Sequence, residues 1–357
     1  MHEILEALVP LLEEGRTAVL ATIIQQAGPS PRGMGAKCLI KDDGSFVGTI
    51  GGGILEAQTL DQARQVFDTW LPDRLHFSLT GKDVAETDML CGGEVEILLE
   101  PISGRDPASA RLFRGIAEKL GMGNRGLLVT LMDPEQWQGP EIPKIFMAQN
   151  GETSGSLPGA QAIVEAMTKG WKQIMRSRQP SVSAMQDDSG RMIHVLAEPI
   201  LAKSVLYVFG AGHVSKQIVP LAARVGFHVV VMDDRESFAD PSLFPDAAEV
   251  CCIPFEGSVE HLGVDGASFV VIVTRGHIND KGVLAQALSS KTRYIGMIGS
   301  RRKRDLIYKA LSTEGFTQED LDRVHAPIGI DIGAETPEEI AVSIVAELIK
   351  VRAGEGV

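Results

Sequence analysis

Apolar residues follow two different rhythms along this chain. From about residue 203, short apolar runs alternate with amphipathic segments: VLYVF (205–209), HVVVM (228–232), VCCI (250–253), FVVIVT (269–274) and YIGMI (294–298) predict strands, and helical periods separate most of them. Strands interleaved with helices need right-handed crossovers, so the expected sheet is parallel and doubly wound, with its ligand crevice at the carboxyl ends of the strands. The first half instead repeats itself. KCLIKDDGSFVGTI (37–50) lines up with KIFMAQNGETSGSL (144–157), lysine on lysine and both glycines on glycines; RTAVLATI (16–23) resembles RGLLVTLM (125–132), and EVEILLEPI (94–102) resembles MIHVLAEPI (192–200). Two copies of one small α/β unit are expected near 1–102 and 107–200.

The predicted organisation is therefore α/β throughout. An α/β unit over 1–102 is followed by a degenerate second copy over 103–202 and a Rossmann-like doubly wound domain over 203–357. Composition agrees with this: 357 residues, 44% of them hydrophobic, supply cores for two or three domains.

Charge narrows the function classes. A formal net charge of −13 argues against broad affinity for nucleic acid or an anionic membrane, both of which need a basic surface. RRKR (301–304) is the one dense basic cluster. The first thirty residues read as an amphipathic helix with acidic residues rather than a secretion signal, and no stretch approaches ~18 uninterrupted apolar residues. A soluble cytoplasmic protein is expected. Cys38, Cys91, Cys251 and Cys252 form no C-x-x-C pair, so neither a zinc ribbon nor a disulfide framework is expected. Cys38, Cys251 and Cys252, lying in apolar strands, are read as core.

The first strand of the doubly wound half runs into Gly210-Ala211-Gly212-His213-Val214-Ser215. In a dinucleotide fingerprint the first glycine permits the tight turn and the second lets a pyrophosphate approach the backbone; the third position is here Ser215, small enough to pack. Asp233 or Asp234, after the second strand, could accept from a ribose diol. TRGHINDK (274–281), with Arg275 and His277, follows the fourth strand. GSRRKR (299–304) follows the fifth, with Ser300 as a helix N-cap and Arg301 on a first turn that favours anions. Thr336, Pro337 and Glu339 form a cap, an N1 proline and a capping-box acid before the last helix.

Copy one carries glycine motifs that copy two lacks: Gly51-Gly52-Gly53 running into a helix with Glu56 on its first turn, and Cys91-Gly92-Gly93 before a strand. A glycine run at a helix start exposes amides for an anion, or serves as a tight hairpin-to-helix connection. On residues alone Cys91 reads as a small buried side chain before a strand. QQAGPSPRGMGAK (25–37) reads as a Gly/Pro-rich, positively charged connection between two strands.

In combination, SPRGMGAKCLI, GTIGGGILE, LCGGEVEILLEP, VFGAGHVS, VMDDR, VTRGH, YIGMIGSRRKR and IGIDIGAETPEEIAVSIVAEL resemble the XdhC/CoxI family of molybdenum-hydroxylase accessory proteins, over most of 10–102 and 203–350. The resemblance implies a cofactor-binding chaperone without turnover of its own. It would bind the molybdenum cofactor (molybdopterin), support sulfuration by a cysteine desulfurase, and pass the cofactor to apo xanthine dehydrogenase or a related molybdenum hydroxylase. The cofactor's phosphate would take the Gly210–Ser215 turn, and Cys91 would be the soft metal or sulfur contact, thiolate suiting a soft centre. The alternative from the residues alone is an NAD(P)-dependent oxidoreductase. It uses Gly210, Gly212 and Asp233 but gives the copy-one motifs no role. A homodimer is expected on the general frequency of symmetric pairs.

Overall fold

The computed structural model describes residues 1–78, 93–137 and 139–354, in two compact units, Met1–Ala202 and Lys203–Val357.

The first unit opens with α1 (His2–Glu13), whose Ile4, Leu5, Leu8, Leu11 and Leu12 form one buried stripe. The expected helix stops there. Residues 17–27 are strand β1 (Thr17–Ala27), because AVLATII is a continuous run rich in β-branched side chains, buried on both faces. There follow β2 (Lys37–Lys41), β3 (Phe46–Gly48), α2 (Gly53–Thr69), β4 (Asp73–Ser78) and β5 (Glu94–Ser103). The same order recurs in α3 (Pro107–Gly121), β6 (Gly126–Leu131), β7 (Lys144–Ala148), β8 (Thr153–Ser156), α4 (Ala160–Ser177), β9 (Ser181–Gln186) and β10 (Met192–Ile200). Each set forms an antiparallel five-stranded sheet, β3-β2-β1-β5-β4 and β8-β7-β6-β10-β9. The loop before the second helix is 157–159 in one and 49–52 in the other.

Each sheet is covered by its own helix on one face. Leu55, Ala63 and Val66 of α2 pack on Val19 and Ile97, while Ile163 and Met167 of α4 pack on Val129 and Val195. The other faces share one core. Leu8 of α1 and Phe113 and Ile116 of α3 join Leu20 and Leu39 from one sheet and Leu128 and Phe146 from the other. Neither set could bury both faces of its sheet alone.

The second unit contains β11 (Val205–Phe209), α5 (His213–Arg224), β12 (His228–Asp233), β13 (Glu249–Cys252), α6 (Ser258–His261), β14 (Phe269–Ile272), α7 (Gly276–Ser289), β15 (Tyr294–Met297), α8 (Arg301–Thr313), α9 (Gln318–Asp322), β16 (Val324–His325) and α10 (Pro337–Ala353). All sheet pairs are parallel, in the order β13-β12-β11-β14-β15-β16, the doubly wound Rossmann order. Alternate strand residues feed two cores, one under α5 and α10, the other under α7 and α8. The two-residue β16 is too short to leave a periodic signal. Cys38 is buried as expected, but Cys251 is half-buried and Cys252 exposed. Their strand β13 lies at the edge of the sheet, where one side has no neighbouring strand to cover it.

Candidate functional site

The strand order reverses between β11 and β14, and chain chemistry concentrates there. Gly210 follows β11 at φ +105°, and a Cβ would lie 2.5 Å from the Val273 carbonyl oxygen, so two crevice loops cross at a point only glycine admits. Gly212 is the N-cap of α5, with nothing within 4 Å of where its Cβ would stand. That leaves the helix start, headed by His213, open to an approaching group. Ser215 is fully buried and its hydroxyl donates to the Gly210 carbonyl, so the third fingerprint position pins the turn from inside.

Asp233 is also buried. Its Oδ2 accepts from the Ala211 N–H at 2.9 Å and from Arg235 Nη2 at 2.9 Å, and its Oδ1 accepts from Arg235 Nε at 2.7 Å. Burial alone would raise its pKa; the Arg235 guanidinium and the Ala211 amide outweigh it and hold the carboxyl below its ordinary value. The carboxylate thus latches the β11 turn to the β12 turn, and its hydrogen-bonding capacity goes to the protein. Neighbouring Asp234 reaches Arg275 Nη2 at 3.5 Å, joining the loop after β12 to the loop after β14.

Arg275 is the N-cap of α7, and His277 lies on the first turn. Ser300 caps α8, accepting from the Lys303 N–H at 3.3 Å, with Arg301 as its first helical residue. Between these helix starts is a cavity of about 640 Å³ lined by His277, Ile278, Ser300, Arg302 and Leu306 among others. Its inner support is a network that sequence reasoning passed over. Asp280, fully buried, accepts from the Thr274 hydroxyl at 2.6 Å and forms an ion pair with Lys303. The i, i+6 spacing within TRGHINDK was the available signal, since a helix beginning at Gly276 turns Asp280 back toward Thr274.

In the first unit, Gly51, Gly52 and Gly53 lead into α2, but their amides are partly spoken for. Glu56 Oε1 accepts from the Thr49 hydroxyl at 2.5 Å, the Gly52 N–H at 3.0 Å and the Ile50 N–H at 3.3 Å. Glu56 therefore acts as the helix's own anion. Gly51 packs on Pro31, a Cβ there falling 2.9 Å from the proline Cβ, and Gly93 packs on the Pro29 carbonyl. The 25–37 connection is thus held against both glycine motifs. Cys91 and Gly92 lie outside the described residues, and no cluster of metal-ligating side chains occurs among those that are described.

Two sequence profiles match this chain: the XdhC and CoxI family over residues 11–78, and the XdhC Rossmann domain over residues 206–348. The chain belongs to the XdhC/CoxI family. Its relatives include a Bacillus subtilis protein named as a probable xanthine dehydrogenase subunit, 28% identical over 98% of this chain and 97% of that protein. The molybdenum cofactor insertion chaperone PaoD of Escherichia coli is 22% identical over 98% of this chain and 88% of its own. YqeB of Escherichia coli, uncharacterised, is 26% identical over 96% of this chain, which spans 45% of that longer protein. A crystal structure described as a xanthine dehydrogenase from Bacillus halodurans superposes with a TM-score of 0.77 at 26% identity, covering 99% of this chain and 96% of that one. No helix among the described residues is long and apolar enough to cross a membrane.

Proposed function

We propose that this protein binds the molybdenum cofactor in the cytoplasm, supports its sulfuration by a cysteine desulfurase, and hands it to apo xanthine dehydrogenase or a related molybdenum hydroxylase. The observation that carries the reading is the open helix start at Gly212, a seat for a phosphate, in a chain similar along nearly its whole length to a cofactor insertion chaperone. The residues fit the group at that end. Gly212 leaves room, and an anion seated there would meet the first-turn amides of α5. Arg275, His277, Ser300 and Arg301 add donors and positive charge on the neighbouring crevice loops. The bound cofactor would supply molybdenum and its dithiolene; the chain's part is to hold the phosphate and shield the sulfur. Cys91, followed by Gly92 and Gly93, is proposed as the soft contact. The two matching sheet sets of the first unit are proposed to descend from one duplicated unit, and the protein to work as a homodimer.

Against the NAD(P)-dependent oxidoreductase, Asp233 is buried and bonded to Ala211 and Arg235, so it is not offered to a ribose diol. The deciding experiment is purification from a host that makes molybdopterin, with pterin and molybdenum assayed in the product. Stoichiometric pterin supports the proposal; bound nicotinamide without pterin would overturn it. Cys91→Ser should fold normally yet retain less cofactor or fail to activate a recipient.

A further inference from the structure

The ion pair between Lys144 of β7 and Glu100 of β5 does more than join the two sheets of the first unit, because it forms part of the wall of a cavity of about 370 Å³. Both residues are more than nine-tenths buried. Lys144 Nζ donates to Glu100 Oε1 and, at 3.4 Å, to the Ile142 carbonyl, which leaves one of its three N–H groups over. Among the described residues nothing donates to Glu100 Oε2. A carboxylate oxygen and an ammonium N–H to spare therefore lie side by side at one cavity, on two residues that are themselves largely buried. Leu112, Phe113 and Leu157 supply apolar wall, and Ser109 stands at the start of α3.

We propose that this cavity binds a small planar bicyclic lactam, an oxopurine or a phosphate-free oxopteridine, whose ring N–H donates to Glu100 while the adjacent carbonyl accepts from Lys144. A lactam edge presents one donor and one acceptor in the plane of a flat ring, which matches a carboxylate and an ammonium beside apolar walls. The volume lies near the lower end of small-molecule sites, enough for a bare bicycle. Charge excludes the phosphorylated cofactor. Glu141 also lines the cavity, and Asp106 already caps α3 through the Ala108 and Ser109 amides, so acidic groups outnumber Lys144. Glu141 has its pKa raised by desolvation and by Asp106 beside it, the direction expected where carboxyls crowd. The cavity is built from the first unit alone, whereas Gly212 belongs to the second, and its occupant does not depend on the cofactor reading.

Isothermal titration of the full chain with hypoxanthine, with 2-amino-4-oxopteridine and with inosine 5′-monophosphate tests the proposal. One of the two bare heterocycles should bind saturably at one per chain, identifying which source is used, and the nucleotide should not. Ser109→Phe, which fills the groove without touching the ion pair, should weaken binding at least about tenfold, as should Glu100→Gln. If Glu100→Gln fails to fold, Ser109→Phe decides alone. Absence of saturable binding by either heterocycle up to about 1 mM, or binding that Ser109→Phe leaves unchanged, overturns the inference. Molybdopterin content measured on the same preparation reports independently on the proposed function.

Discussion

Lys37 Nζ lies 2.7 Å from Glu198 Oε1, and the relationship is reciprocated by Lys144 and Glu100. Each lysine opens the second strand of its own set, and each glutamate lies on the last strand of the other set. The two sets therefore exchange one buried charge each, across a core that neither completes alone. A buried ion pair gains little over apolar packing, but losing one partner strands the other charge in a low-dielectric site.

That asymmetry sets the first prediction. Lys37→Met should destabilise the first unit by about 3–5 kcal/mol, because Glu198 keeps its burial and loses its counter-charge. The double variant Lys37→Met/Glu198→Leu should recover most of the loss. Urea unfolding followed by tryptophan fluorescence distinguishes them; a double variant no more stable than the single would show that the pair supplies more than charge compensation.

Glu56 tests whether the first glycine run receives an external anion. Its carboxylate already accepts from Thr49, Ile50 and Gly52, so Glu56→Ala should cost about 1 kcal/mol of stability, as for the loss of a helix cap, with cofactor retention unchanged. Reduced pterin content in a stably folded Glu56→Ala protein would place this helix start in the cofactor site after all.

Acid sensitivity of the second unit should trace to Asp233. Its carboxyl titrates lower in the folded chain than in the unfolded chain, where the ordinary value is about 3.9. Its stabilising contribution is therefore complete above that unfolded value and is lost as pH falls from there through the depressed folded value. Asp233→Asn should be less stable at neutral pH and should show a flatter decline below about pH 4. Unfolding midpoints measured across an acid series check both; a parallel decline in the two proteins would assign the acid lability elsewhere.

Much of the architecture was legible because it is periodic. The five apolar runs after residue 203 are β11, β12, β13, β14 and β15, and the caps at Ser300 and Thr336 stand at the starts of α8 and α10. The alignment that set Lys37 on Lys144 and Glu100 on Glu198 found residues at equivalent strand positions. It could not show that each lysine pairs with the other set's glutamate, since linear pattern carries no information on which buried charges meet. The partners of Asp233, one of the two acids read as able to accept from a ribose diol, were hidden for a related reason. Arg235, two residues on, folds back to it, and Ala211 comes from a different strand end. Cys252 looked like core because β13 is apolar, whereas edge position depends on strand order.

Gly210 and Gly212 lie two residues apart and should respond in opposite ways to substitution. Gly210 sits at φ +105°, with the Val273 carbonyl oxygen 2.5 Å from any added Cβ, so Gly210→Ala forces both a strained backbone and a steric conflict with a neighbouring loop. The strain alone is worth roughly 1–3 kcal/mol, and the crossing of the two loops adds to it. Gly212 has φ −84° and open space, so an alanine there should leave the melting temperature nearly unchanged. Gly212→Asp is the informative change. It fits sterically and is tolerated at an N-cap, where a carboxylate is favourable, yet it brings negative charge to the helix start proposed for the phosphate. The expected result is a protein at least as stable as the parent that retains less molybdopterin, with Gly212→Ala retaining more than Gly212→Asp. Pterin content and thermal unfolding on the same three preparations separate binding from folding. If Gly212→Asp holds the cofactor as well as the parent does, the phosphate does not sit at α5, and the α7 and α8 starts at Arg275 and Ser300 become its place.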